Sequence, residues 1–151
     1  MNSVMRVRIR APYRRIFELA ADVERWPERL EHYRYVRRLP AEAREPGKRH
    51  FAMGARRGPI PVRWSAMQRP MEDRRRIEFT HTGGVTRGMA VAWQFEPAGP
   101  DAWDVSIHHD LALRWPLIGE LVARHVIGPH FIDAIAGRTL RRVRELAEAE
   151  S

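Results

Sequence analysis

The C-terminal stretch constrains the fold of this chain most. At about 100° per residue, Phe131, Ile132, Ile135, Ala136, Thr139, Leu140, Val143, Leu146 and Ala147 share roughly half of a helical cylinder. Asp133, Arg138, Arg141, Arg144, Glu145 and Glu148 take the other half. Gly128-Pro129 stands just before this run. Glycine suits the end of one helix and proline the first turn of the next. The spacing therefore predicts a short helix over 117–127, a break, and a long helix running to residue 149. A helix with so wide an apolar stripe must lie on a broad apolar surface.

The preceding residues supply that surface. Met5, Val7 and Ile9 alternate with Arg6, Arg8 and Arg10 over 4–10, the period of a half-buried strand. Ala11-Pro12 ends it and opens a helix with Ile16, Phe17, Leu19, Ala20 and Val23 on its apolar side, followed by a helical turn at Trp26–Leu30. Residues 40–47 read as a loop. From 48 to 113 the chain reads as an antiparallel meander, with strands near 49–56, 62–69, 75–82, 86–96 and 103–113. Turn signals stand at Gly58-Pro59, Pro70–Arg74, Gly83-Gly84 and Pro97–Pro100. In the last three strands the odd positions (Ile77, Phe79, His81; Met89, Val91, Trp93, Phe95; Trp103, Val105, Ile107, His109, Leu111) are the apolar set, and the even positions are polar. Such a sheet is covered on one side, and the C-terminal helix is the natural cover. In the strand 62–69 the inward set is Val62, Trp64, Ala66 and Gln68.

Composition narrows the class. With 151 residues, 44% hydrophobic and 30% charged, the chain reads as one globular domain over 1–151, long enough to bury a core. It has no apolar run long enough to span a membrane and no apolar stretch of signal-peptide type at the N-terminus, so it is expected in the cytoplasm. The absence of cysteine excludes disulfides, a thiolate nucleophile and Cys-ligated metal. The net charge is +8, and Lys48 is the only lysine. The arginines are spread along the chain and interleaved with glutamates, the pattern of a solvated surface; an anionic partner such as nucleic acid, a ribosome or a lipid surface is the alternative.

Several segments together resemble a known family. They are Val7-Arg8-Ile9-Arg10-Ala11-Pro12, Ile16-Phe17, Asp22-Val23-Glu24-Arg25-Trp26-Pro27 with His32-Tyr33, Arg63-Trp64-Ser65-Ala66, Ile77-Glu78-Phe79-Thr80-His81, Gly84, Gly88-Met89 with Trp93, and Arg138-Thr139-Leu140. Their order and spacing resemble the polyketide cyclase/dehydrase and coenzyme Q-binding proteins of the START-like (SRPBCC) superfamily. The resemblance implies an α+β helix-grip fold: about seven antiparallel strands curved around a long C-terminal helix, with two short helices after the first strand. It also implies a cavity between sheet and helix that takes polyketides, quinones, lipids, sterols or hormones.

Turns centred at 83–84 and 97–100 pair His81 with Arg87 and Met89 with His109. Two rows then cross the inner face: Trp64, His81, Arg87, Leu111, and Ala66, Phe79, Met89, His109. The candidate ligand-binding residues are Tyr33, Trp64, Gln68, Phe79, His81, Met89, Trp93, His109, Phe131 and Ile135. Apolar walls with a few polar groups are what orients a small guest. His81, His109 and Arg87 are the candidates for acid/base and oxyanion roles, with no role assigned, since partly buried histidines satisfied by their surroundings are the plain alternative. Tyr35 and His32 stand with Tyr33 at the expected pocket mouth, and His125 and His130 flank the Gly-Pro break. No spacing supports a metal site, and no cofactor is implied.

The resemblance also carries one departure. Aromatase/cyclase relatives share a W-x-S-x-R pattern on this strand, whose serine and arginine point into the pocket; here the string is Trp64-Ser65-Ala66-Met67-Gln68, with Ala66 and Gln68 at those positions. Without that cation to stabilise an enolate, the same cyclisation is in doubt. The leading expectation is therefore a carrier of a hydrophobic, aromatic or quinone-like small molecule. A polyketide cyclase, aromatase or dehydratase is the second reading, and a module that associates with ribosomes or membrane complexes the third.

Overall fold

The computed structural model describes residues 2–40, 47–84, 86–111 and 132–149. Strand β1 (Asn2–Ile9) leads through Pro12 into α1 (Tyr13–Ala21), a 3-10 turn at Val23–Arg25 and α2 (Trp26–Arg29). Six further strands follow: β2 (Tyr33–Leu39), β3 (Arg49–Arg57), β4 (Ile60–Met71), β5 (Arg76–Gly84), β6 (Ala90–Pro97) and β7 (Trp103–Asp110); α3 (Asp133–Ala149) closes the series. The strands form one antiparallel sheet in the order β1-β7-β6-β5-β4-β3-β2. This is the helix-grip architecture expected. Phe131, His125, His130, the segment 117–127 and the Gly128-Pro129 break lie outside the described residues.

α3 buries Ala136, Thr139, Leu140, Val143 and Ala147 of its apolar stripe against the sheet. Gly137 is what lets the helix approach β1: a Cβ there would come within 2.8 Å of Met5 Cε. The C-terminal end is tied down by Glu148, which accepts from the Arg10 backbone amide at 2.9 Å, and by Ala147, whose carbonyl accepts from Arg15 at 3.2 Å. α1 buries Ile16, Phe17 and Ala20 beneath one end of the sheet. There Tyr13, Phe17, Phe95 and Trp103 form an aromatic cluster with centroids 4.8–5.7 Å apart.

The inward faces are those the alternation predicts, but three registers differ from expectation by two residues. Gln68, rather than Ala66, lies opposite Phe79; Phe79 lies opposite Val91, rather than Met89; and His109 lies opposite Val91. Each hairpin is centred one residue later than its turn signal suggests. Gly83-Gly84 ends β5 instead of forming the turn, which runs through Thr86–Gly88, and the β6–β7 loop closes with Ala98 donating to Ala102 at 2.8 Å. Moving a turn centre by one residue moves the register by two and leaves parity intact. β2 is a strand that the sequence reading did not place: its pattern, Tyr-Arg-Tyr-Val-Arg-Arg-Leu, does not alternate, and the register shifts between Tyr33 and Tyr35 at a bulge.

Gly84 sits at φ 93°, and a Cβ there would stand 2.7 Å from the Arg63 carbonyl oxygen. Gly84→Ala combines strained backbone with a backbone clash and is expected to cost about 2 kcal/mol or more. Gly58→Ala, at φ 58° with nothing within 4 Å, should cost about 1 kcal/mol. Urea unfolding of the two variants against the parent checks that ordering.

Candidate functional site

Between α3 and the concave face of the sheet lies a cavity of about 100 Å³. The sheet contributes Trp64, Phe79, Val91 and Trp93, with Met89 just before β6; Ile135, Ala136 and Thr139 come from α3, with Ile132 just before it, and Trp26 with Tyr33 close one side. Against this apolar lining the polar groups are few: the rings of His81 and His109 and the hydroxyls of Tyr33, Thr86 and Thr139.

Strand alternation turns His81 and His109 inward, and both are buried. His81 lies parallel to the Trp64 indole, with centroids 5.9 Å apart and planes 2° apart, and its Nδ1 is hydrogen-bonded to Thr86 Oγ1 at 2.7 Å. Burial, and then repulsion by His109, push the His81 pKa down to about 3. Burial also lowers His109 to about 4, although the nearby Asp133 carboxylate pulls in the opposite direction. Both imidazoles are therefore neutral at pH 7. His109 Nδ1 is buried with no hydrogen-bond partner among the described residues.

The helix side of the cavity holds a closed network. Thr139 Oγ1 donates to the Ile135 carbonyl at 2.7 Å and meets His32 Nε2 at 2.8 Å. With its proton committed, the hydroxyl is the acceptor, so His32 carries its proton on Nε2. Burial raises the Tyr33 phenol to about 12, with Thr139 nearby pulling the other way. Tyr33 is thus a neutral wall residue rather than part of a mouth. Tyr35, one bulge further on, lies opposite Gly54, where an added Cβ would fall 2.4 Å from the Tyr35 ring.

Among the sequence candidates, Tyr33, Trp64, Phe79, His81, Met89, Trp93, His109 and Ile135 converge on this cavity. Gln68 does not line it. Its side chain is fully buried and donates from Nε2 to the Ala21 carbonyl at 2.8 Å, tying β4 to the end of α1. Arg87 is exposed in the Thr86–Gly88 turn and does not line the cavity either, because the later turn centre removes it from β6. Trp26, Thr86 and Thr139 line the cavity but were not singled out. A threonine inside the apolar stripe of α3 was the one available signal; Trp26 and Thr86 reach the cavity through packing and a turn. No arginine or lysine lines the cavity among the described residues, and these contain no cluster of three or more metal-ligating side chains.

The comparisons agree with this geometry. The family model described as polyketide cyclase / dehydrase and lipid transport matches residues 9–126. The chain belongs to this family. It is 33% identical over 108 residues to the actinorhodin polyketide synthase bifunctional cyclase/dehydratase of Streptomyces coelicolor, a match covering 70% of this chain and 33% of that relative. The chain thus spans about a third of the length of the curated relative it matches. Among solved structures, the Zhui aromatase/cyclase from Streptomyces sp. R1128 superposes with a TM-score of 0.81 at 16% identity, covering 99% of this chain and 94% of that one. A START superfamily protein from Mycobacterium smegmatis gives 0.74 at 14% identity, covering 99% of each chain. These likenesses establish the fold of this family member.

The buried histidines make its stability depend on pH. Their folded pKa values, about 3 and about 4, lie below the ordinary 6.5 of an unfolded histidine. The unfolded chain therefore takes up protons first, and stability falls as pH drops from 6.5 towards 4. The slope contributed is up to about 1.4 kcal/mol per pH unit per histidine. Urea midpoints from pH 7.5 to 4.5 should show this loss, and His81→Gln and His109→Gln should each flatten it.

Proposed function

We propose that the protein binds a planar, uncharged, hydrophobic small molecule, aromatic or quinone-like, in the cavity between α3 and the sheet. The observation that carries this reading is an apolar cavity whose lining includes two buried imidazoles, His81 and His109. His109 Nδ1 is itself enclosed in the protein without a hydrogen-bond partner among the described residues, and a buried polar atom without a partner costs about 1–3 kcal/mol. A guest that turns this ring and hydrogen-bonds it recovers the loss. Neutral imidazoles favour a phenol, enol or carbonyl over a carboxylate, because the described walls offer no cation to pair with a buried anion. Trp64, stacked on His81, and Trp93 supply flat apolar walls. Membership of a family described by both cyclisation and lipid transport fits such a guest.

The second reading is catalysis on a polyketide-like chain, favoured by the identity to a cyclase/dehydratase. His81 and His109 would then relay protons as neutral bases, with pKa values of about 3 and about 4, well below the range near 7 that suits general catalysis. Gln68 at the arginine position is committed to Ala21, and the lining supplies no charged oxyanion stabiliser. These features place binding ahead of turnover.

Trp26, Trp64 and Trp93 line the cavity, so a guest should quench intrinsic fluorescence. The parent protein is expected to bind 1-naphthol about fivefold to tenfold more tightly than naphthalene, the worth of one net hydrogen bond. His109→Leu should abolish that preference while retaining naphthalene. Absence of quenching by either compound counts against the reading. Multiple turnover of a poly-β-ketone substrate that is lost in His81→Ala or His109→Ala, with binding kept, would favour catalysis instead.

A further inference from the structure

Three consecutive strands concentrate positive charge on one wing of the sheet. Strands β2, β3 and β4 carry eight arginines and no aspartate or glutamate; Glu42, Arg44 and Glu45, between β2 and β3 in sequence, lie outside the described residues. The ion pairs involve mainly other elements, such as Arg8–Asp104, Arg76–Glu78 and Arg144–Glu148. Within this wing Arg38 reaches Glu24 at 3.7 Å, whereas Arg34, Arg37, Arg49, Arg56, Arg57 and Arg63 make no ion pair with a described residue. The β3–β4 hairpin that projects from the wing has the sequence Arg56-Arg57-Gly58-Pro59-Ile60-Pro61-Val62-Arg63, and Gly58 to Pro61 are exposed. Ile60, 44% exposed, is one of only two exposed large hydrophobic side chains among the described residues; the other is Val4 on β1. Two residues beyond the tip, Val62 already lines the cavity.

We propose that this hairpin docks the protein on a bilayer bearing anionic headgroups, with Ile60 and its flanking prolines entering the headgroup boundary and Arg56 and Arg63 on lipid phosphates. Apolar insertion and basic attraction together are the two contributions that hold a protein reversibly at a membrane surface. Guanidinium groups suit phosphate because they engage it bidentately. Nucleic acid explains the charge but not the tip, since an aliphatic side chain gains nothing from a phosphate backbone. Stacking of a base also lacks a platform: the Tyr35 ring lies over Gly54 and already carries the Arg37 guanidinium 4.7 Å from its centroid. The contact also places the cavity's Val62–Trp64 end beside the phase in which a hydrophobic guest dissolves. The docking itself stands independently of what the cavity holds.

Co-sedimentation of the whole protein with vesicles tests this. Vesicles of equal parts phosphatidylcholine and phosphatidylglycerol should pellet it at low salt; pure phosphatidylcholine should not, and molar salt should release it. Arg56→Ala with Arg63→Ala should lower the partition coefficient about twentyfold, and Ile60→Ser about fivefold. Val4→Ser, at the opposite edge of the sheet, should leave it unchanged. Binding that survives the arginine pair, or that falls equally in the Val4 and Ile60 variants, overturns the proposal. So does retention by single-stranded polyuridylate without retention by the anionic vesicles.

Discussion

Everything in this fold depends on covering one apolar sheet face with one helix. Seven strands at about 4.8 Å spacing span roughly 29 Å, whereas a helix with its side chains is only about 10–12 Å across. α3 cannot fill the concavity alone, and Gly137 draws it towards Met5 on the β1 edge. α1 and α2 fill one end with Phe17, Ala20 and Trp26. The centre of the sheet, where Trp64, Phe79, Val91 and Trp93 face inward, keeps the space that the described helices leave. The cavity is thus a geometric consequence of the architecture, and its chemistry is set by the few polar residues that alternation happens to aim into it.

Those polar residues divide into two kinds. Thr139, His32 and the Ile135 carbonyl satisfy one another, so these groups need no guest. His81 is held by Thr86 and stacked on Trp64, whereas His109 Nδ1 has no partner among the described residues. The same burial that keeps both rings neutral makes them costly under acid conditions, so the site and the pH dependence of stability have one cause.

Much of this was legible in the sequence. Period-2 alternation identified the inward faces of β5, β6 and β7, and the 3.6-residue stripe identified α3, because each depends only on local geometry. Of the ten candidate ligand residues eight line the cavity, seven through strand alternation or the helical stripe and Tyr33 at the position that the family resemblance suggested. What failed depended on where hairpins close. Gly83-Gly84 looks like a turn, but Gly84 serves a close approach to Arg63, and the one-residue difference moved Arg87 from the sheet to an exposed turn. Parity survived and register did not. Gln68 faced inward as expected, yet its partner was α1, which no strand pattern could indicate.

The sequence by itself determined the layers: a one-sided antiparallel sheet, a covering amphipathic helix, and a cavity family to which the chain belongs. Only the tertiary structure decided which inward residues meet, which histidine nitrogen lacks a partner among the described residues, and which arginines of β2–β4 stand without an ion pair to a described residue. Periodicity is a property of neighbouring residues along the chain. Pairing, burial and the summed field of a surface belong to residues that only the closing of turns brings together.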